Sequence, residues 1–231
     1  MKILLISDIH SNFEAFQQIV NHTDYDEILF AGDVVDYGPS PKDVFYVLEY
    51  LKAKRVLGNH DAAAAFGIDC RSSPATYAAS VATRSRITTQ LMPKKSLELL
   101  GKAEKKLNLE FDGLRVRLLH AAPGDELYRY ISKDEASKLE QNGADLLVLG
   151  HTHIPYEIRN EKLWVVNPGS AGMPKDGDPR ASFAILDTVK RQVEFRRISY
   201  DVDLMLTELR KLIGDDKTIF DQLASTFRTG T

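Results

Sequence analysis

The sequence predicts an α/β fold, and two observations carry that expectation. Short apolar runs of strand length recur along the chain, and amphipathic helical patterns fill the gaps between the early ones. Taken in order, the runs are Lys2 to Ile6, Glu27 to Ala31, Arg55 to Leu57, Leu114 to Leu119, Asp145 to Leu149, Leu163 to Val166, Ser182 to Leu186 and Val193 to Ile198. After the first, Asn12 can cap a helix carrying Phe13, Phe16, Ile19 and Val20 on one face. After the second, Pro41 suits the first turn of a helix carrying Val44, Phe45, Leu48 and Leu51.

Residues 73–106 interrupt the alternation as a mostly helical insertion that Pro93 divides in two. Strands dominate beyond it. Leu107 to Phe111 and Leu114 to Leu119 flank Asp112-Gly113, a strong hairpin signal that predicts a second or a mixed sheet. From Asp201 the pattern is again helical, with Leu204, Leu209, Leu212 and Ile213 apolar and a weaker helix around Phe220 to Phe227, giving a tail at about 201–228. No repeat, low-complexity tract or long Gly/Ser linker marks a boundary, so residues 1–231 are expected to form one domain.

Hydrophobic residues at 43% and charged residues at 27% are those of a folded globular chain and exclude disorder. A net charge of -3 excludes a global positive field, so nucleic acid and anionic membranes are not expected partners. The basic stretch Lys94, Lys95, Lys102, Lys105 and Lys106 reads as a solvated helix face. The single Cys70 cannot form an intramolecular disulfide and fits a reducing compartment as an inert thiol. The apolar run after Lys2 is far shorter than the roughly 7 to 15 residues of a signal peptide, and none approaches the roughly 18 of a membrane span. A soluble cytoplasmic protein is expected.

The chemistry sits where strands end. In "ISDIH" the first run stops on Asp8 and His10, which share a face if strand geometry continues and can then share one cation; a polar turn capping the next helix is the bland alternative. Four more runs stop on similar groups: "AGDVVD" on Asp33, "LGNHD" on Asn59, His60 and Asp61, "RLLH" on His120 and "LGHTH" on His151 and His153. In open α/β sheets ligands sit outside the carboxyl ends of strands, so these groups should meet. Of six histidines only His22 lies elsewhere. The other five histidines with Asp8, Asp33 and Asn59 make eight candidate groups, more than the four to six positions of one transition ion, which predicts two ions with Asp33 between them. With imidazole and carboxylate donors and no thiolate, manganese is the first expectation, with iron, nickel and zinc open.

In that order the motifs Asp-x-His, Gly-Asp-x-x-Asp, Gly-Asn-His-Asp and Gly-His-x-His resemble those of the calcineurin-like metallophosphoesterases, especially their small bacterial and archaeal phosphodiesterase branch. "NPGS" at Asn167 to Ser170 extends the resemblance toward Leu186; the helical tail lies outside it. The resemblance implies a four-layer αββα sandwich with mixed sheets. It implies one metal on Asp8, His10, Asp33 and His153 and a second on Asp33, Asn59, His120 and His151. His60 would be the acid beside the metals, oriented by Asp36, with Asn59 facing substrate; Tyr37 reads as a residue that stacks on or hydrogen-bonds to a substrate or, equally, as a packed loop tyrosine. Asp61 reads equally as a helix cap. Where related protein phosphatases continue Gly-Asp-x-x-Asp with a phosphate-gripping arginine, this chain has Tyr37, which disfavours phosphoprotein substrates.

The expected reaction is hydrolysis of a small, nucleotide-like or other phosphoester by a phosphodiesterase or phosphatase. A phosphomonoesterase is the near alternative. A non-catalytic interaction protein on the same fold, like the retromer subunit that resembles these enzymes, is the distant one; it would be expected to have lost histidines that are all present here. A homo-oligomer stays open. The insertion 73–106 and the segment Pro123 to Ile131 are expected to wall the site.

Overall fold

The computed structural model describes residues 1–140 and 143–231. Its strands are β1 (Lys2–Ile6), β2 (Glu27–Phe30), β3 (Lys54–Arg55), β4 (Lys106–Phe111), β5 (Leu114–Leu119), β6 (Leu146–Val148), β7 (Tyr156–Arg159), β8 (Trp164–Asn167), β9 (Ala181–Asp187) and β10 (Gln192–Ile198). Its helices are α1 (Phe13–Asn21), α2 (Pro41–Tyr50), α3 (Asn59–Phe66), α4 (Pro74–Thr83), α5 (Thr89–Leu91), α6 (Lys94–Gly101), α7 (Lys133–Ala136), α8 (Val202–Ile213) and α9 (Lys217–Thr229). Arg84–Thr88, between α4 and α5, form a wide π-type turn.

Two mixed five-stranded sheets result, ordered β10-β9-β1-β2-β3 and β4-β5-β6-β8-β7. The period-two alternation of strand side chains explains why they stack. In β1, Leu4 and Ile6 face α1 and α2, meeting Phe16, Ile19, Val44 and Phe45. Ile3 and Leu5 face the other way, against Val116, Leu118, Leu146 and Val148 of the second sheet. Both faces of β1 are thus buried, as its unbroken apolar run requires. The outer face of the second sheet is covered more thinly, by Ile131 and Ala136 against Leu119, Leu147 and Val165.

β1, β2 and β3 run parallel in one sheet, and β5, β6 and β8 do so in the other. The polar residues beyond their carboxyl ends therefore gather at one end of the sandwich.

Several expectations need correction. The third strand lies at Lys54–Arg55, upstream of the expected Arg55 to Leu57, because the chain turns into the site from Gly58. Leu204 is 51% exposed; the phase of α8 is set by Met205, Leu206, Leu209 and Ile213. Pro93 does divide the insertion, since it stands at the amino end of α6. No described helix is long and apolar enough to cross a membrane.

Leu146 is fully buried between the sheets, whereas Tyr50 is 83% exposed. Leu146→Ala should destabilise the fold by about 2–5 kcal/mol and Tyr50→Ala by under about 0.5 kcal/mol. Urea unfolding of both variants checks the contrast, and similar losses would contradict the two-sheet core.

Candidate metal centre

The structure brings every expected ligand into one cluster. Asp8 and His10 follow β1, Asp33 follows β2, Asn59 opens α3, His120 follows β5, and His151 and His153 follow β6. All are buried except His151, which is half-buried. The backbone bends sharply to present them: Asp8, His10, Asp33, Asp36, Tyr37, His151 and His153 all have φ between +47° and +69°. Side chains with a Cβ enter that region at a cost, and strain of this kind concentrates at functional sites. Two glycines make the approach possible. A Cβ on Gly58 would lie 2.0 Å from Asp33 Oδ1, and one on Gly150 would lie 1.9 Å from Ser7 Oγ.

Hydrogen bonds fix the protons. His10 Nδ1 faces Val35 O at 2.9 Å, His120 Nδ1 faces Ala31 O at 2.7 Å, and His153 Nδ1 faces Met173 O at 2.6 Å. A carbonyl only accepts, so each Nδ1 carries the proton and each Nε2 turns a bare lone pair inward. His10 Nε2 and His153 Nε2 then stand 3.2 Å apart with no proton between them. Asp8 Oδ1 lies 3.5 Å from His153 Nε2 and 3.9 Å from His10 Nε2, buried and without a hydrogen-bond donor.

The second cluster repeats the pattern. Asn59 Nδ2 donates to Cys70 O at 2.6 Å, so Asn59 Oδ1 points at His120 Nε2, 2.8 Å away, and at His151 Nδ1, 3.1 Å away. Asp33 Oδ2 lies between the clusters, 3.7 Å from His10 Nε2 and 3.4 Å from His120 Nε2. Burial pushes the carboxyls of Asp8 and Asp33 up and the imidazoles of His10, His151 and His153 down, which keeps those imidazoles in their neutral, ligating form.

Acceptors facing acceptors, with nitrogen and oxygen donors and no thiolate, fit divalent metal ions. Asp8, His10 and His153 offer ligand atoms within 4.8 Å of one another, as do Asp8, Asp33 and His120. His10, Asp33 and His60 form a third such group. His60 is otherwise engaged: its Nδ1 donates to Asp36 Oδ2 at 2.8 Å, and its Nε2 meets Ser72 Oγ at 3.3 Å.

Asp36 is itself gripped. The Arg84 guanidinium, presented by the π-type turn, pairs with Oδ2, and Thr88 donates to Oδ1 at 3.1 Å. Burial raises the Asp36 carboxyl to about 6 despite that pairing. Tyr37 is buried, edge-on to His10 at 4.9 Å, and its hydroxyl reaches the cleft beside Ser72 at 3.2 Å. Arg84, Thr88, Arg71 and Lys175 were not singled out by sequence reasoning. Arg84 lay in the expected helical insertion, where only its distance to Asp36 distinguishes it.

The walls come from the segments around 71–76 and 128–130, so the first wall starts slightly before the expected insertion. Two larger surface clefts, near 770 and 860 Å³, lie at the opposite edge around Lys2, Asp24 and Asp187, away from the converging groups.

A model of the calcineurin-like phosphoesterase superfamily domain matches residues 1–191. The chain belongs to this superfamily. It is 29% identical over 219 residues to an uncharacterized protein of Methanocaldococcus jannaschii, covering 87% of this chain and 88% of that one. Over 49 residues it is 47% identical to phosphodiesterase YfcE of Escherichia coli, a match spanning 21% of this chain and 25% of that protein. The crystal structure of a metallophosphoesterase from Sphaerobacter thermophilus superposes with a TM-score of 0.83 at 26% identity, covering 100% of this chain and 99% of that one. That superposition includes α8 and α9, which lie beyond the matched residues. Membership indicates a phosphoesterase-type hydrolase, and the buried His and Asp groups fit a divalent metal site.

Asp61 opens no chemistry but holds the site's shape. Its carboxylate accepts the backbone N–H groups of Asp33 at 2.9 Å, Val34 at 2.8 Å, Val35 at 3.3 Å and Gly58 at 3.2 Å. Asp61→Ala should cost about 3–5 kcal/mol by leaving these donors unpaired around a buried turn. Asp61→Asn should cost less, since its carbonyl oxygen still accepts. Calorimetric unfolding of both variants decides it, and equal small losses would deny the turn its anchor.

Proposed function

We propose that the protein is a phosphoester hydrolase that works with two divalent transition-metal ions on small phosphoesters, nucleotide-like diesters first. The observation that carries this reading is two places where acceptors face each other, His10 Nε2 with His153 Nε2 and His120 Nε2 with Asn59 Oδ1, joined by Asp33 Oδ2. Asp8, His10, Asp33 and His153 would hold one ion, and Asp33, Asn59, His120 and His151 the other. Manganese is the first candidate. When bound, the ions acidify a water molecule and neutralise charge on the phosphoryl oxygens.

The chain's own residues supply the rest. Asn59 and Tyr37 border the cleft that receives the phosphate. His60 turns Nε2 toward that cleft while Asp36 holds Nδ1. Burial, with the charges of Arg84 and Lys175, lowers the basicity of His60, and an anionic phosphate beside it would counter those charges. From Nε2 the proton passes to the departing ester oxygen, a contribution typically worth about 10²–10⁴ in rate. Arg84 and Thr88 keep Asp36 in place, and thereby His60.

Metal content tests the reading directly. The parent should bind close to two ions per chain with turnover of bis(p-nitrophenyl) phosphate, and Asp33→Asn should lose more metal than Asn59→Ala. Elemental analysis showing a full complement in Asp33→Asn would remove Asp33 from between the ions.

The role of His60 has its own signature. An alkoxide leaving group needs a proton, whereas p-nitrophenolate departs without one. His60→Ala should retain metal while losing far more activity on an alkyl or nucleotide ester than on a p-nitrophenyl ester, with Asp36→Asn a milder copy. Equal losses on both esters, or loss of metal, would defeat the assignment.

A further inference from the structure

The cleft over the converging His and Asp side chains measures about 240 Å³, too small for a whole nucleotide and suited to its phosphoryl end. Apart from Asp33, no described residue lining it is a carboxylate, although the chain as a whole is acidic. Instead it presents two cations and several hydroxyls. Lys175 is half-buried, makes no ion pair with any described residue, and lies within electrostatic reach of Asp8 and Asp33.

Arg71 stands at the rim. Its guanidinium stacks 4.3 Å above the centre of the Tyr128 ring, and it has no carboxylate partner among the described residues. Stacking of this kind leaves the N–H edge of a guanidinium free for an anion. Beside it, Ser73 and Thr76 line the same cleft at the amino end of α4, where Ser73 makes no side-chain cap bond to the backbone. The helix end adds partial positive charge to the same wall.

We propose that this wall selects substrates carrying a second phosphoryl group next to the scissile one. Lys175 meets the scissile phosphate, and Arg71, with Ser73 and Thr76, takes its neighbour. The proposal rests on the phosphoesterase reading and names the substrate class of that site. It also assigns the anionic grip to residues outside the Gly-Asp-x-x-Asp motif, where Tyr37 has no charge to offer.

Binding of AMP and ADP to the metal-loaded protein, measured by titration calorimetry with free Mn²⁺ held constant, tests it. ADP should bind at least about ten-fold more tightly than AMP. Arg71→Ala should bring the two nucleotides within about two-fold of each other by weakening ADP alone, and Arg71→Lys should keep part of the preference. Lys175→Ala should weaken both. Unfolding midpoints close to the parent's establish that each variant is folded. The proposal is overturned if ADP binds no better than AMP, if Arg71→Ala weakens both alike, or if Lys175→Ala leaves AMP binding unchanged. Parallel turnover of bis(p-nitrophenyl) phosphate by the parent separates the two readings. Turnover without an ADP preference overturns this proposal alone, while absence of turnover on any ester overturns the phosphoesterase reading itself.

Discussion

Beyond the carboxyl ends of five strands, buried nitrogens and oxygens turn lone pairs toward one another, an arrangement that positive charge alone makes tolerable. The rest of the molecule can be understood as the apparatus that keeps those lone pairs from turning away. Three backbone carbonyls, those of Ala31, Val35 and Met173, hold imidazole protons on the far side of their rings. Rotating any of these rings would break a buried hydrogen bond without relieving the crowding, so the cluster stays aimed at its centre.

Holding that geometry requires backbone that most residues avoid. The left-handed turns at Asp8, His10, Asp33, His151 and His153 would relax if the strands beneath them were loose. They are not, because β1 is buried on both faces and Asp61 ties the Asp33 turn to the start of α3. Stability in the sandwich core and strain at its end are therefore two sides of one arrangement. Arg84 extends the same logic outward, since its contact with Asp36 links the helical insertion to the imidazole facing the cleft.

Much of this was legible in the sequence, and the reasons are specific. Polar groups at strand ends stand out against apolar runs, so Asp8, His10, Asp33, Asn59, His120, His151 and His153 could be picked out before any contact was known. α3 was signalled only by Asp61 as a helix cap, because its first turn, Asn59, His60 and Asp61, is polar yet buried, which erases the apolar stripe that marks a helix. β7 escaped because it alternates Glu157 and Arg159 with apolar neighbours at a sheet edge, too short a pattern to separate from a loop. Arg71 and Lys175 lie in loops without a motif, and only their convergence on one cleft gives them meaning. The exposed Leu204 shows the converse: counting apolar residues does not give the phase of a helix.

The C-terminal helices bear on the site through packing and supply none of its expected ligands. Met205, Leu209, Leu223 and Phe227 pack in one cluster with Tyr37 and Met173, the residues that back His10 and receive the proton of His153. Every expected ligand precedes α8 and α9, yet two of them rest against residues that these helices cover. The packing behind two expected ligands is therefore non-local, completed by helices that follow every one of those ligands in the chain.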